Sequence, residues 1–311
     1  LKRILGDEPI LKGHSKMTAP LSSIIVVNWN GKEYLQECLE SLWQQSFRDF
    51  EIILVDNGST DGSLDSLPPW FPAWGRLLRN SQNLGFAEGN NTGIRIARGK
   101  YIALLNNDAQ ADAHWLEALI RTAEEDPRVG MWASKIYLQG HSRVIDNVGH
   151  LIYRDGLNRG RGRLELDQGQ FDEKEEILFP SGCAALYGRE MLEEIGLFDE
   201  DFFAYGDDTD IGLRARLAGW KCMYVPTAIV YHRYSQSSGA YSPLKAFYVE
   251  RNRVWIAAKY FPLSMLFKSP LYTLWRFLLQ GIGALTGRGA AGKFSRQYSS
   301  LRLFRILVEA Y

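Results

Sequence analysis

The chain has 311 residues, 46% of them hydrophobic, enough for one large α/β domain with an appendage and a sizeable core. Its three cysteines, Cys38, Cys183 and Cys222, stand in no CxxC or Cys/His spacing, which excludes a disulfide framework and a cysteine-built metal knot. Basic and acidic residues both total 36, so net charge excludes no partner, but residues 243–311 hold eleven Lys and Arg against Glu250 and Glu309, a local +9 that leaves −9 on the remainder.

Residues 1–20 read as an N-terminal extension. Leu1–Lys16 lacks the continuous apolar run of a secretory signal, and Met17 is a candidate initiator, so a cytoplasmic protein is expected. From Leu21 to about Tyr137 strand and helix patterns alternate. Ser23–Val27 predicts a buried strand. Lys32–Ser46 predicts a helix with Tyr34, Leu35, Cys38, Leu39, Leu42 and Trp43 on one face. Strands follow at Phe50–Val55, Arg76–Arg79, Tyr101–Leu105 and Val129–Tyr137, with helices at Phe86–Arg98 and His114–Glu125. Strands separated by helices imply crossover connections and a mainly parallel sheet. Beyond Gly140 the pattern loosens into short β-like runs to about Gln170, predicting hairpins over an open face. Leu178–Tyr187 is an apolar run, Asp208–Leu217 a short helix, Lys221–His232 a final strand and Arg233–Ser242 a polar loop. Cys38 and Cys222 lie in apolar periodic segments and read as packed thiols.

The polar residues gather where ligands bind in such sheets, outside the carboxyl ends of the strands. Asn28-Trp29-Asn30, Asp56-Asn57-Gly58-Ser59, Asn80–Asn83 and Asn106-Asn107-Asp108 close four successive strands. Turn and capping chemistry accounts for any one of these clusters; four in register point to a ligand site. Asp56 is an acceptor suited to a base N–H or a ribose hydroxyl, with an Asx turn as the alternative use. Asp108 is a candidate cation ligand, or the cap of the helix beginning near Ala113. Asp207, Asp208 and Asp210 crowd the start of one helix. There the dipole keeps carboxylates ionised, and any of the three could take a proton. His232 ends the last strand, as a ligand or as a packed side chain. His14, His114, His141 and His150 have no partner spacing and receive no role.

The runs IIVVNWNGKEYLQECLESLWQQS, EIILVDNGSTDGS and NLGFAEGNNTGIRIARGKYIALLNND resemble the inverting nucleotide-sugar glycosyltransferases of family 2, in their bacterial rhamnosyltransferase-like branch. The later segment FPSGCAALYGREMLEEIGLFDEDFFAYGDDTDIGLRARLAGW does so as well, and the likeness spans about Leu21–Ser238. The resemblance implies a GT-A fold over residues 21–242, with residues 243–311 as a helical extension. It implies a donor site built from Asn28, Asp56, Gly58, Ser59, Asn83, Gly85, Asn90, Asn107 and Asp108. It implies Mg2+ or Mn2+ held by Asp108, and by His232 as in several relatives. Asp208, the second acid of its pair, becomes the general base. Where the family usually carries Asp-x-Asp, this chain has Asn106-Asn107-Asp108, which puts metal affinity in doubt more than metal use. Ser181-Gly182-Cys183 is expected near the donor sugar, unless it is only tightly packed strand, and Arg251 is a weaker candidate for a phosphate or acceptor contact. A dTDP- or UDP-linked donor, dTDP-rhamnose among them, and a glycan or lipid-linked acceptor in surface polysaccharide synthesis are implied partners. A nucleotidyltransferase, a nucleotide-sugar binder without turnover and a glycosidase are the competing readings. The first two share the nucleotide site; the last needs none.

The tail is apolar, aromatic and basic. Phe261–Leu285 is interrupted by Lys268, Pro270 and Arg276, leaving no apolar run near the ~20 residues that span a bilayer. Leu271–Leu279 and Leu301–Val308 carry aromatic and aliphatic residues with interleaved Arg at helical spacing. That suits an interfacial helix on anionic lipid, here the inner membrane face, or a contact within an oligomer. The segment is too rich in Leu and too sparse in charge for a nucleic-acid surface.

Overall fold

The computed structural model describes residues 19–141, 143–233, 242–287 and 289–310. The expectations for residues 1–18 and for most of the polar loop, residues 234–241, lie outside the described residues.

The first half is a wound α/β unit. β1 (Ser22–Asn28), α1 (Leu35–Trp43), β2 (Phe50–Asp56), α2 (Phe71–Trp74), β3 (Gly75–Arg79), α3 (Gly85–Ile96) and β4 (Tyr101–Leu105) follow in order. β1 pairs in parallel with both β2 and β4, and β2 with β3. The strands are apolar throughout because both faces are covered. Leu35, Cys38, Leu39 and Leu42 of α1 pack against Ile24, Val26, Ile52 and Leu54, while Ile25, Ile53 and Val55 face the core beneath α3. Each such aliphatic side chain contributes about 1.5–3 kcal/mol by leaving water.

β5 (Ala109–Ala111), α4 (Trp115–Ala123) and β6 (Val129–Leu138) extend the sheet, and β7 (Ile145–Asn147) pairs with β6. β8 (His150–Ile152) and β9 (Asn158–Gly160) form a separate antiparallel hairpin, followed by β10 (Glu175–Ile177). β11 (Ala184–Gly188) runs antiparallel between β4 and β6. α5 (Arg189–Ile195) and α6 (Asp207–Leu217) lead to β12 (Lys221–His232), which pairs in parallel with β6. The order β10-β12-β6-β11-β4-β1-β2-β3 is a mixed α/β sheet, mostly parallel at its core, as expected. Pro226, without a donor N–H, lies where the β12–β6 register breaks between Val225 and Ile229.

Several predicted elements are shorter than expected, two of them markedly. The first helix starts at Leu35 because residues 31–34 turn beneath the strand ends. The run 178–187 becomes strand only from Ala184 because Ser181–Cys183 makes a turn, closed by Ala184 N on Ser181 O at 3.3 Å. The three cysteines are free and buried.

The chain ends in α7 (Pro243–Tyr260), α8 (Leu263–Leu266), α9 (Ser269–Thr286), α10 (Gly289–Gln297) and α11 (Ser300–Glu309). Among the described residues no helix is long and apolar enough to cross a membrane.

Candidate active site

The ends of β1, β4 and β12, the start of α3, the β8–β9 hairpin and the starts of α6 and α7 enclose a cleft of about 460 Å3. Of the expected site residues, Asn83, Gly85, Asn107, Asp108, Asp208 and His232 line it, together with Ser181, Gly182 and Cys183. Asn28, Asp56, Gly58, Ser59 and Asn90 are not among the residues that line it.

Asn28 is fully buried and ties the strand ends together. Its amide nitrogen lies 3.1 Å from Asp56 Oδ1, 3.0 Å from Ser59 Oγ and 2.9 Å from Ser63 Oγ, and its carbonyl accepts from Asn107 Nδ2 at 2.8 Å. Asn90 donates to Phe86 O at 2.8 Å within its own helix. Gly58 and Gly85 serve close approach of the chain to itself. Both have left-handed φ (+75° and +82°), and a Cβ would stand 2.7 Å from Gln82 Cα and 2.4 Å from Phe203 O respectively. Asn57, not singled out from the sequence, faces the cleft. It donates to Asn83 Oδ1 (3.0 Å) and Gly85 O (2.9 Å) and accepts from Asn80 Nδ2 (2.9 Å).

Asp108 and His232 meet because β5, just after Asp108, pairs with the end of β12, with His232 opposite Ala109. His232 Nε2 lies 3.2 Å from Asp108 Oδ1 and Nδ1 lies 2.7 Å from Asp146 Oδ2. Burial opposes a charged imidazole, but the Cys183 sulfur, Asp108 and Asp146 outweigh it and hold His232 well above the usual histidine range. Burial would raise Asp146, but His232 and Arg163 bring its carboxyl below the usual range. Two ligands bound at about 2.1 Å on adjacent octahedral positions stand about 3 Å apart, so Asp108 and His232 fit one divalent cation. Asp146 on the far nitrogen is the second-sphere carboxylate such a histidine needs. Ligation would require His232 to release its proton. Among the described residues no group of three or more His, Cys, Asp and Glu is spaced to hold a metal.

The three acids at the start of α6 separate by environment. Asp210 is fully buried and committed: it accepts from Arg214 Nε (2.9 Å), Lys259 Nζ (2.6 Å) and Tyr260 Oη (2.5 Å). Asp207 is buried, and desolvation plus the neighbouring Asp208 charge push its carboxyl well above the usual range. Asp208 faces the cleft. Desolvation would raise it, but His150 and the Gly182 and Thr209 N–H groups bring it below the usual range. Its oxygens lie 3.3 Å from His150 Nε2 and 3.4 Å from Gly182 N, Asn158 Nδ2 and Thr209 Oγ1. These long contacts leave its lone pairs available.

His150, to which the sequence assigned nothing, is thus the near neighbour of Asp208. Its ring stacks on Phe179 with centroids 5.4 Å apart and 12° between planes. His150 and Asp146 come from the stretch after Gly140, where no periodicity marked single residues. Arg251 does not reach the cleft: its guanidinium donates to the Asp201 and Phe202 carbonyls and lies 4.2 Å from the Trp255 ring centre. Arg276 pairs with Glu250 and Asp155, and Arg253 pairs with Glu250, so these three basic residues of the tail are spent inside. On α9, Leu271 (68% exposed), Trp275 (63%), Ile282 (58%) and Leu285 (89%) face outward, as do Phe267 before it and Leu301 and Phe304 of α11.

Residues 23–196 match the family model described as glycosyl transferase family 2. The chain is 28% identical over 243 residues to the N-acetylglucosaminyl-diphospho-decaprenol L-rhamnosyltransferase of Mycobacterium tuberculosis, covering 70% of this chain and 77% of that protein. It is 30% identical over 240 residues to protein y4gI of Sinorhizobium fredii, covering 71% of this chain but spanning only 25% of that longer protein. Among solved structures, the mannosyltransferase PcManGT of Pyrobaculum calidifontis, in complex with GDP-Man and Mn2+, superposes with a TM-score of 0.57. That match has 16% identity and covers 94% of this chain and 74% of that one. GalNAc-T7 with UDP, GalNAc and Mn2+ gives a TM-score of 0.62 at 19% identity, covering 77% of this chain and 48% of that one. These likenesses show the GT-A fold.

Proposed function

The chain belongs to glycosyl transferase family 2, and on that premise we propose that it moves a sugar, with inversion, from a nucleoside-diphosphate donor to an acceptor hydroxyl. One observation carries this reading: Asp108 with His232, and Asp207 with Asp208, face the same cleft. Departure of the diphosphate and attack of the hydroxyl need charge neutralisation and proton removal side by side. Asp208, ionised and only loosely hydrogen-bonded, accepts the acceptor proton as the hydroxyl oxygen attacks the anomeric carbon. Asp207 beside it, its carboxyl pushed well above the usual range by burial and by Asp208, favours the protonated form. Asp108 and His232 would hold Mg2+ or Mn2+, which offsets the charge growing on the leaving diphosphate. Asn57, Asn83 and Asn107 line the nucleotide end. Asp56 stands just behind, its Oδ2 in a 3.3 Å contact with Ser59 N that leaves acceptor capacity for the nucleoside. Gly182 borders the sugar.

The rhamnosyltransferase relative supports dTDP-rhamnose as donor, with other dTDP- or UDP-sugars next, and a lipid-linked glycan acceptor in surface polysaccharide synthesis. The outward apolar residues of α9 and α11, with the basic residues of the tail that are not spent inside, support docking on an anionic inner membrane face. Juxtamembrane basic residues add about 1 kcal/mol each near such a surface.

Incubation with a panel of nucleotide sugars, Mg2+ or Mn2+ and a polyprenyl-diphosphate sugar acceptor tests the reading. The expected result is acceptor-dependent release of a nucleoside diphosphate. Release of pyrophosphate would favour a nucleotidyltransferase. Binding without turnover of any donor would leave only a sensor.

A further inference from the structure

The segment from Asp201 to Gly206 delivers the chain into the acidic start of α6, and its backbone is under strain. Phe203 has φ +61° and ψ −63°, and Ala204 N donates to Phe202 O at 2.7 Å, which closes a γ-turn around a bulky side chain. Tyr205 and Gly206 follow at φ +65° and +93°. A non-glycine residue in the left-handed region persists only where its surroundings over-determine it.

What over-determines it can be read by asking where its carbonyls go. Phe203 O accepts from Phe86 N (2.6 Å) and Ala87 N (3.2 Å) at the start of α3, and Gly206 O accepts from Asp210 N at 2.9 Å. The others are held by α7. Arg251 Nη2 donates to Asp201 O (2.6 Å) and Phe202 O (3.1 Å). Asn252 Nδ2 shares its hydrogens among Phe202 O (2.9 Å), Ala204 O (2.9 Å) and Tyr205 O (2.5 Å). Arg251 Nε donates to Asn252 Oδ1 at 2.9 Å, which fixes the amide so that its nitrogen is the end facing the turn. Asn252 is 1% exposed. Two more side chains of α7 grip the same segment: the Tyr248 ring stacks on Phe203 at 4.9 Å and 16°, and Lys245 Nζ stands 5.1 Å from the Tyr205 ring centre. Lys245, Tyr248 and Asn252 recur at helical spacing along one face.

We propose that Arg251 and Asn252 are positioning residues for the transfer: they hold the 201–206 turn in its left-handed form and thereby set where the Asp208 carboxylate stands over the cleft. Neither side chain touches substrate. The inference rests on Asp208 being the base. It makes α7 part of the catalytic unit, although its sequence reads as the opening of the basic, aromatic tail. Its physical content is geometric. A carboxylate displaced by about 1 Å from the attacking hydroxyl costs on the order of 10²-fold in rate while donor affinity is spared.

The test is a double-mutant cycle in the full chain. Asn252→Ala, and separately Arg251→Gln as the milder change, are each made alone and with Asp208→Asn. Turnover is measured at saturating donor and acceptor, donor Kd by calorimetry, and folding by thermal melt. Asn252→Ala is expected to lower kcat roughly 10- to 100-fold with donor Kd within about twofold, and Arg251→Gln to lower it less. In the Asp208→Asn background neither should reduce the residual rate more than about twofold, because the residue through which they act is already silent. Full additivity, or a fall in donor affinity matching the fall in kcat, would overturn the proposal. If Asn252→Ala does not fold, the Arg251→Gln arm of the cycle decides by the same criterion. Near-normal turnover of Asp208→Asn alone would strike at the base assignment instead, a distinct failure read from a different variant.

Discussion

Replacing Asp208 by Asn removes a charge and a proton acceptor while keeping the side chain's shape. The long contacts of this carboxylate, 3.3–3.4 Å to His150, Gly182, Asn158 and Thr209, contribute little to folding. Its charge is nonetheless favoured by the fold, since the carboxyl lies below its usual range. Asp208→Asn should therefore fold, with at most a modest loss of stability. Catalysis is a different matter. Loss of a general base costs roughly 10²–10⁴-fold, or about 2.7–5.4 kcal/mol of transition-state stabilisation. The assay is nucleoside-diphosphate release at saturating donor and acceptor, beside calorimetric donor binding and a thermal melt. The expected outcome is a fall in kcat of that size with donor Kd preserved and the melting temperature lowered by at most about a few degrees. Turnover within a few-fold of the parent would refute the assignment. Asp207 would then be the remaining acid, since Asp210 is engaged by Arg214, Lys259 and Tyr260.

His150→Gln should move the acidic limb of the kcat/KM profile upward in pH. The imidazole helps hold the Asp208 carboxyl below its usual range, so its removal lets the base take up a proton at higher pH; an unmoved limb would exclude that coupling. Asp108→Ala and His232→Ala should each weaken activation by Mn2+ or Mg2+, with non-additive effects if they share one ion, and full activity in excess EDTA would end the metal reading. On α9, Trp275→Glu combined with Ile282→Glu, both outward-facing, should abolish flotation with anionic liposomes and leave transfer to a water-soluble acceptor intact. Flotation that ignores anionic lipid content would instead assign this face to protein packing.

Much of the architecture is written in local pattern. Tyr101–Leu105 and Lys221–His232 are strands over the predicted residues, because a short apolar, β-branched run bounded by turn residues has few other stable uses. The four clusters of Asn and Asp were visible because each lies where such a run stops. The helical character of the tail was legible in the spacing of its Leu, Trp and Phe residues.

Which of those polar residues face the cleft was decided by contacts between segments far apart in the chain. Asn28 and Asn57 both close strands, yet Asn28 is consumed in tying Asp56 to Asn107 while Asn57 lines the cleft. Asp208 and Asp210 lie two positions apart on one helix and so point to different faces; Asp210 is engaged by Arg214 of its own helix and by Lys259 and Tyr260 arriving from α7. His150 meets Asp208, and Asp146 meets His232, through a hairpin and an edge strand whose placement depends on non-local pairing. Sequence periodicity determined which segments become strands and helices, since that choice follows from burial along a single segment. The histidine was brought to the acid, and the strained turn to the α7 side chains that hold it, only by tertiary packing, since those partners stand tens of residues away.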